Sequence, residues 1–311
     1  MAVEHLRVSP DKAGSTPPPL IDARFHAPRI DHATILARPR LEQEAAALSP
    51  ARLSLVIAPA GYGKTTAIAV RARTANRAVA WLSLEPRDNH LRRLEDYLLG
   101  AIATVVAHGV QPSGDCVDPS AESVARHILA ALQITTDPLL VVLDDLHHLV
   151  AADLLEALRL VIDYAPANVS FLLASRTAPA LPLSRWRARG MLAELHADDL
   201  RFTPAETRVL CAQWLSAPLA DADLDLLVSS TQGWAAALRL IIMRLRQEPP
   251  ERVSATLTQL AASHRDLADF LDDEILRELP GHVRTMMKRT SILDPLCDDL
   301  CAYVLGYHYQ P

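Results

Sequence analysis

Apolar residues along the chain follow two kinds of pattern, and the change between them divides it. Up to about residue 200, short unbroken apolar runs alternate with stretches in which apolar residues recur every three or four positions. The runs are Leu53–Ile57, Ala78–Leu82, Pro138–Asp145, Val169–Ala174 and Leu192–Leu195. Runs of this length without polar alternation predict strands covered on both faces, as in a parallel sheet. Between them the spacing predicts helices from Lys64 to about Thr74, over Leu91–Ala107, Ala121–Leu132 and Asp153–Tyr164. Such alternation predicts a doubly wound α/β domain over residues 28–200, with ligands held at the carboxyl ends of the strands.

Beyond residue 200 the strand runs stop. Thr203-Pro-Ala-Glu206 has the form of a capping box with Pro at the first helical position. Helices are expected at about 204–215, 221–230, 233–247 and 265–278, so residues 201–278 read as an all-α helical domain. Residues 279–311 begin something further, and the last of them, Gly306-Tyr-His-Tyr-Gln-Pro311, read as cut rather than finished. Residues 1–27 contain Ser15-Thr-Pro-Pro-Pro19 and little periodicity, and are expected to be a disordered tail. Pro28–Leu48 reads as a lead-in with a short helix ending at Ser49-Pro50, and Gln111–Ser120 as a loop.

The first apolar run flows into Ala58-Pro59-Ala60-Gly61-Tyr62-Gly63-Lys64-Thr65-Thr66. This fits a phosphate-binding loop, with Ala58 where the strict pattern has Gly. Gly61 and Gly63 let the backbone curl so that N–H groups can face phosphate oxygens. The helix beginning near Lys64 presents its positive end to the same anion. Lys64 supplies a point charge for the β- and γ-phosphates of ATP or ADP, and the Thr65 hydroxyl can ligate Mg²⁺. Composition sharpens this reading. The chain has three lysines, Lys12, Lys64 and Lys288, among 31 basic residues, so an ammonium at the loop stands out where arginine is the usual cation.

Half of the 311 residues are hydrophobic, enough for two or three domains. A net charge of −6 argues against a nucleic-acid module. No apolar run approaches the ~20 residues that span a bilayer, and Met1–Leu20 lacks an export signal's apolar core. Cys116, Cys211, Cys297 and Cys301 do not form a disulfide framework in a chain of this length. A soluble cytoplasmic protein is expected.

Asp144 and Asp145 close the third apolar run. In nucleotide hydrolases the first such carboxylate serves Mg²⁺ and the second can orient or deprotonate water. Arg176 follows the next run and could reach a γ-phosphate. His147 and His148 lack ligand-spaced partners for a metal and read as structural. Cys297 and Cys301 read as apolar packing. Arg185-Trp-Arg-Ala-Arg189 reads as a solvated face beside the cleft. Trp234 opens an apolar helix and reads as core or interdomain packing.

Taken in order, several motifs resemble one family. They are the loop Ala58–Thr66, Trp81-Leu-Ser-Leu84 with Asp88-Asn89, Leu143-Asp-Asp-Leu-His147, Ser175-Arg176, Leu200-Arg-Phe-Thr203, Gly233-Trp234 and Thr290-Ser-Ile-Leu-Asp294. The chain resembles the MalT-type, large LuxR-family, ATP-dependent transcriptional regulators of the STAND class, over about Arg38 to Leu305. The resemblance implies a P-loop NTPase core, a helical domain and a winged-helix domain beginning near Leu279. It also implies a switch that is inactive with ADP and self-associates with ATP. On that basis Ala58–Thr66 would hold phosphates, Asp144 Mg²⁺, Asp145 hydrolysis and Arg176 the γ-phosphate, while Arg38-Pro39-Arg40 would approach the base. Family members continue into a helical-repeat sensor and a carboxy-terminal helix-turn-helix, which this chain has no room for. Inducer sensing and direct DNA binding are therefore not expected of these residues.

The leading reading is an ATP/ADP switch with slow hydrolysis, and whether this chain hydrolyses ATP is left open. A P-loop metabolic ATPase or kinase is the second reading. A non-enzymatic fragment pairing with full-length homologues is the third.

Overall fold

Five strands occupy the positions of the apolar runs in the computed structural model, which describes residues 22–29, 36, 38–41, 51–106, 119–263, 280–291 and 298–305. They are β1 (Leu53–Ile57), β2 (Ala78–Ser83), β3 (Leu139–Asp144), β4 (Val169–Ser175) and β5 (Leu192–Leu195). All pair in parallel, in the order β2-β3-β4-β1-β5. Every residue of β3 is buried, which is why its sequence shows no alternation. Leu53, Leu55, Val141, Leu143, Phe171 and Leu173 face one layer of the core, and Val56, Leu140, Val142 and Leu172 the other.

Helices cover both faces. α1 (Lys64–Thr74) packs with the second layer. α2 (Leu91–Ala103), α3 (Ala121–Leu132) and α4 (Ala152–Tyr164) pack with the first. α2 ends four residues earlier than its periodicity predicts, where the Thr104 hydroxyl donates to the Ala101 carbonyl at 2.7 Å. Two short helices follow, α5 (Leu183–Ala188) and α6 (Ala197–Leu200). α5 leaves Arg185, Arg187 and Arg189 exposed, the solvated face expected of the cluster, but turns its aromatic inward. Trp186 is fully buried and its indole N–H donates to Asp163 at 2.7 Å, so the aromatic points into the core and the arginines rim it.

The helical region contains α7 (Pro204–Trp214), α8 (Asp221–Thr231), α9 (Ala235–Leu245) and α10 (Val253–Ser263). The Thr203 capping box forms as expected: Thr203 accepts from the Glu206 N–H at 3.2 Å, and Glu206 from the Thr203 N–H at 2.9 Å. α10 was not expected from the sequence; its Leu257 joins Leu210, Cys211, Leu227, Leu238 and Ile242 in a separate core. Two further helices, α11 (Gly281–Thr290) and α12 (Asp298–Leu305), are described beyond it. The expected helices near 42–48 and 265–278, the loop over 111–118, and Cys116 and Cys297 lie outside the described residues. Among the described residues, no helix is long and apolar enough to cross a membrane.

The expected disordered tail is corrected at its end. Asp22–Phe25 forms a 3-10 turn whose Phe25 is buried beside Tyr97, ring centroids 5.9 Å apart. The Arg24 guanidinium pairs with the fully buried Asp88 and donates to the Ser83 carbonyl at 2.7 and 2.9 Å. A buried carboxylate needs such a partner, and this pair ties the segment before Pro28 to the end of β2.

Candidate functional site

β1 delivers the loop. Its exit is joined to β4 where the Ala58 N–H donates to the Ser175 carbonyl at 3.2 Å. Gly61 and Gly63 have φ of +76° and +82°, a region that residues with a Cβ enter only at a cost. Gly63 caps α1, so Lys64, Thr65 and Thr66 form its first turn. The first N–H groups of a helix have no internal partner, which makes this turn an anion site. Lys64 is buried and its ammonium donates to the Pro59 carbonyl at 3.0 Å, closing the loop on itself. Desolvation lowers its pKa, opposed by the charge of Asp145 and reinforced by that of Arg176.

Asp144 is the last residue of β3. It is almost wholly buried, accepts from the Asp145 N–H at 3.0 Å and is hydrogen-bonded by the Thr65 hydroxyl. Burial, with the neighbouring Asp145 charge, pushes its pKa up to about 6. Asp145 does not extend the strand. It turns into the left-handed region (φ 56°, ψ 40°), a conformation that costs a non-glycine residue roughly 1 kcal/mol and clusters at functional sites. At this strand end the Asp144 carboxylate is buried and that of Asp145 is partly exposed.

Arg176 leaves β4, the strand between β1 and β3. Its charge acts on both Lys64 and His147. His147 stacks on His148 with ring centroids 4.2 Å apart, and neither of its ring nitrogens has a hydrogen-bond partner. Desolvation, with His148, lowers its pKa to about 4, so the ring is neutral at pH 7. Among the described residues, no cluster of His, Cys, Asp and Glu could hold a metal by itself. The loop, Asp144, Asp145 and Arg176 thus converge at the carboxyl ends of β1, β3 and β4, as the sequence predicts.

Arg38 is held by contacts within the protein. Its guanidinium donates to the Leu200 and Arg201 carbonyls at 2.7 and 2.5 Å, pairs with Glu206 at 3.1 Å and lies 4.2 Å over the Phe202 ring. Its donors are engaged in joining the lead-in segment to the start of α7. Arg38 also borders a cavity of about 520 Å³ that runs from Tyr62, Gly63 and Thr66 toward Phe202, Trp214 and Ile242. A mostly apolar cavity of that size, opening beside a phosphate loop, suits a base and ribose.

Sequence reasoning missed what covers the loop. The indole N–H of Trp234 donates to the Ala60 carbonyl at 3.3 Å, and the Ala236 N–H to the Gly61 carbonyl at 2.9 Å. The sequence reads Trp234 as core or interdomain packing, but no spacing signal says that it packs on a loop more than 170 residues earlier.

No family model matches the chain. It is 33% identical to the HTH-type transcriptional regulator MalT of Serratia proteamaculans, over 92% of this chain and 32% of that protein. It is 32% identical to MalT of Yersinia enterocolitica, with the same coverage. The chain therefore spans about a third of the length of the curated relatives it matches, and over that span the MalT-type regulators are its homologues. Among solved structures, a Walker-type ATPase of Pyrococcus abyssi superposes with a TM-score of 0.57 at 14% identity, over 88% of this chain and 84% of that one. At that identity the likeness concerns the fold, an α/β P-loop NTPase sheet with a helical region.

Proposed function

We propose that this chain is the nucleotide-controlled module of a MalT-type transcriptional regulator, binding ATP or ADP with Mg²⁺ and hydrolysing ATP slowly. The observation that carries the reading is the junction of Thr65 and Asp144 under the phosphate loop. A hydroxyl from the loop and a buried carboxylate from β3 meet there, the two ligand types that a nucleotide-bound Mg²⁺ takes. Burial and the neighbouring Asp145 charge raise this carboxyl to about 6 despite the charge of Lys64, a setting in which a divalent cation would be welcome. When bound, Mg²⁺ supplies charge neutralisation between the phosphates.

The chain's own residues do the rest. The loop Ala58–Thr66 orients the phosphates through its backbone N–H groups from Ala60 onward, since Pro59 has none and that of Ala58 is held by Ser175, and Lys64 neutralises them. Asp145 holds or deprotonates water, and Arg176 answers the γ-phosphate. In this reading residues 28–200 form the NTPase domain, 201–278 the helical domain and 279–311 part of a winged helix. Output would come through self-association or pairing with homologous regulators rather than through direct DNA contact.

The test begins by denaturing the purified protein and identifying released nucleotide by chromatography, then repeating with Lys64→Ala. ADP near one per chain in the wild type, and none in a folded variant, is expected. At ~100 times its dissociation constant, added ADP should stabilise the wild type by about 2.7 kcal/mol. An empty protein showing no thermal shift with ADP or Mg-ATP would sink the reading.

A further inference from the structure

We propose that Trp234 is a positioning residue for the phosphate loop, turning loop N–H groups toward the anion from the helical side. The inference rests on the nucleotide reading above and adds a residue to its machinery.

Two hydrogen bonds cross from the start of α9 to the loop. The Trp234 indole N–H holds the Ala60 carbonyl, and the Ala236 N–H holds the Gly61 carbonyl. The second donor is available because Ala236 lies in the first turn of α9, where N–H groups have no intrahelical acceptor. A trans peptide is planar, with its C=O and the following N–H pointing in opposite directions. Fixing the Ala60 and Gly61 carbonyls toward α9 therefore turns the N–H groups of Gly61 and Tyr62 away from it. Those are loop donors that an approaching phosphate would meet.

The fit is close enough to transmit a change. A Cβ at Gly61 would stand 2.8 Å from both the Ala236 Cβ and the Trp234 indole nitrogen. The Tyr62 ring lies 6.2 Å from the Trp234 ring, centroid to centroid, and Arg201 stacks 5.5 Å over the other partner, Tyr62. Coupling of this kind is reciprocal: if the docked helix favours the anion-binding loop, bound phosphate favours the docked helix.

Trp234→Phe keeps a ring in place and removes the indole donor. Calorimetry with ADP and with adenosine separates positioning from packing. A three- to tenfold loss of ADP affinity is expected, the range for one hydrogen bond, with adenosine affinity unchanged. Unchanged ADP affinity, or an equal loss for both ligands, would overturn the proposal. If Trp234→Phe does not fold, Trp234→Leu removes the same indole donor while keeping an apolar side chain at the site, with the same expected outcomes. A wild-type protein that binds neither ligand would overturn the nucleotide reading itself, whereas normal wild-type binding with an insensitive variant overturns only the role of Trp234.

Discussion

Gly233 and Phe202 are fastened backbone to backbone: the Phe202 N–H donates to the Gly233 carbonyl at 2.8 Å, and a Cβ on Gly233 would stand 2.3 Å from the Phe202 carbonyl oxygen. Gln232 and Gly233, with φ of 48° and 71°, make the left-handed turn that ends α8 and aims α9 at the loop. Phe202 is in turn stacked under Arg38 and borders the cavity. One strap therefore runs from the cavity wall through Gly233 to Trp234 and the phosphate loop.

This arrangement orders three glycine substitutions. Gly190→Ala meets nothing within 4 Å and carries only the strain of φ +66°, so a cost of about 1 kcal/mol is expected. Gly61→Ala adds side-chain crowding against Trp234 and Ala236, for roughly 2–3 kcal/mol. Gly233→Ala drives a Cβ into backbone and should cost more than either. Denaturant midpoints of the three variants check the order, and a Gly233→Ala protein as stable as Gly190→Ala would refute the strap.

Arg38 is part of that strap and also lines the cavity. Arg38→Ala should destabilise by about 1–2 kcal/mol, because it removes the closest cation of the half-buried Glu206 and the Arg38 donor of the Leu200 carbonyl, while Arg40 and the Thr203 N–H still reach Glu206. Preference for ATP over GTP should not change, and competition binding would detect a shift if the guanidinium read the base.

The same pair sets a pH dependence. Desolvation pushes the Glu206 carboxyl up, but hydrogen bonds from Arg38 and the Thr203 N–H, with the Arg38 and Arg40 charges, hold it below its ordinary 4.5 overall. A depressed carboxyl contributes stability that is present above 4.5 and lost as pH falls below it. Thermal scans from pH 6 to pH 3 should show wild type losing more stability than Glu206→Gln. Parallel curves would show that the pair adds nothing.

Cys211 is nearly inaccessible in the helical core, and burial pushes its thiol up to about 11. The thiolate is the nucleophile, so iodoacetamide at pH 8 should leave the Cys211 peptide unmodified in folded protein and label it in urea. Its stabilising contribution is complete below the ordinary value of 9.0 and fades as pH rises toward 11. Rapid labelling of folded protein, read by peptide mass spectrometry, would place this cysteine outside the core.

What the sequence determined by itself was local. Apolar runs are strands because both faces of a parallel sheet are covered, Thr203 and Glu206 lie within one helical turn, and the loop carries its chemistry in consecutive residues. The order of the runs also put Asp144, Asp145 and Arg176 at strand ends. Tertiary structure decided whatever depends on which distant surfaces meet. It turned Trp186 inward onto Asp163, strapped Arg24 to Asp88, spent the Arg38 donors on the junction between α6 and α7 and laid Trp234 on the loop. None of these has a period or a spacing to read. Each pairs residues far apart in the chain, and burial selects the pairing only after the sheet and helices have packed, when a buried donor must find an acceptor or leave it unmet.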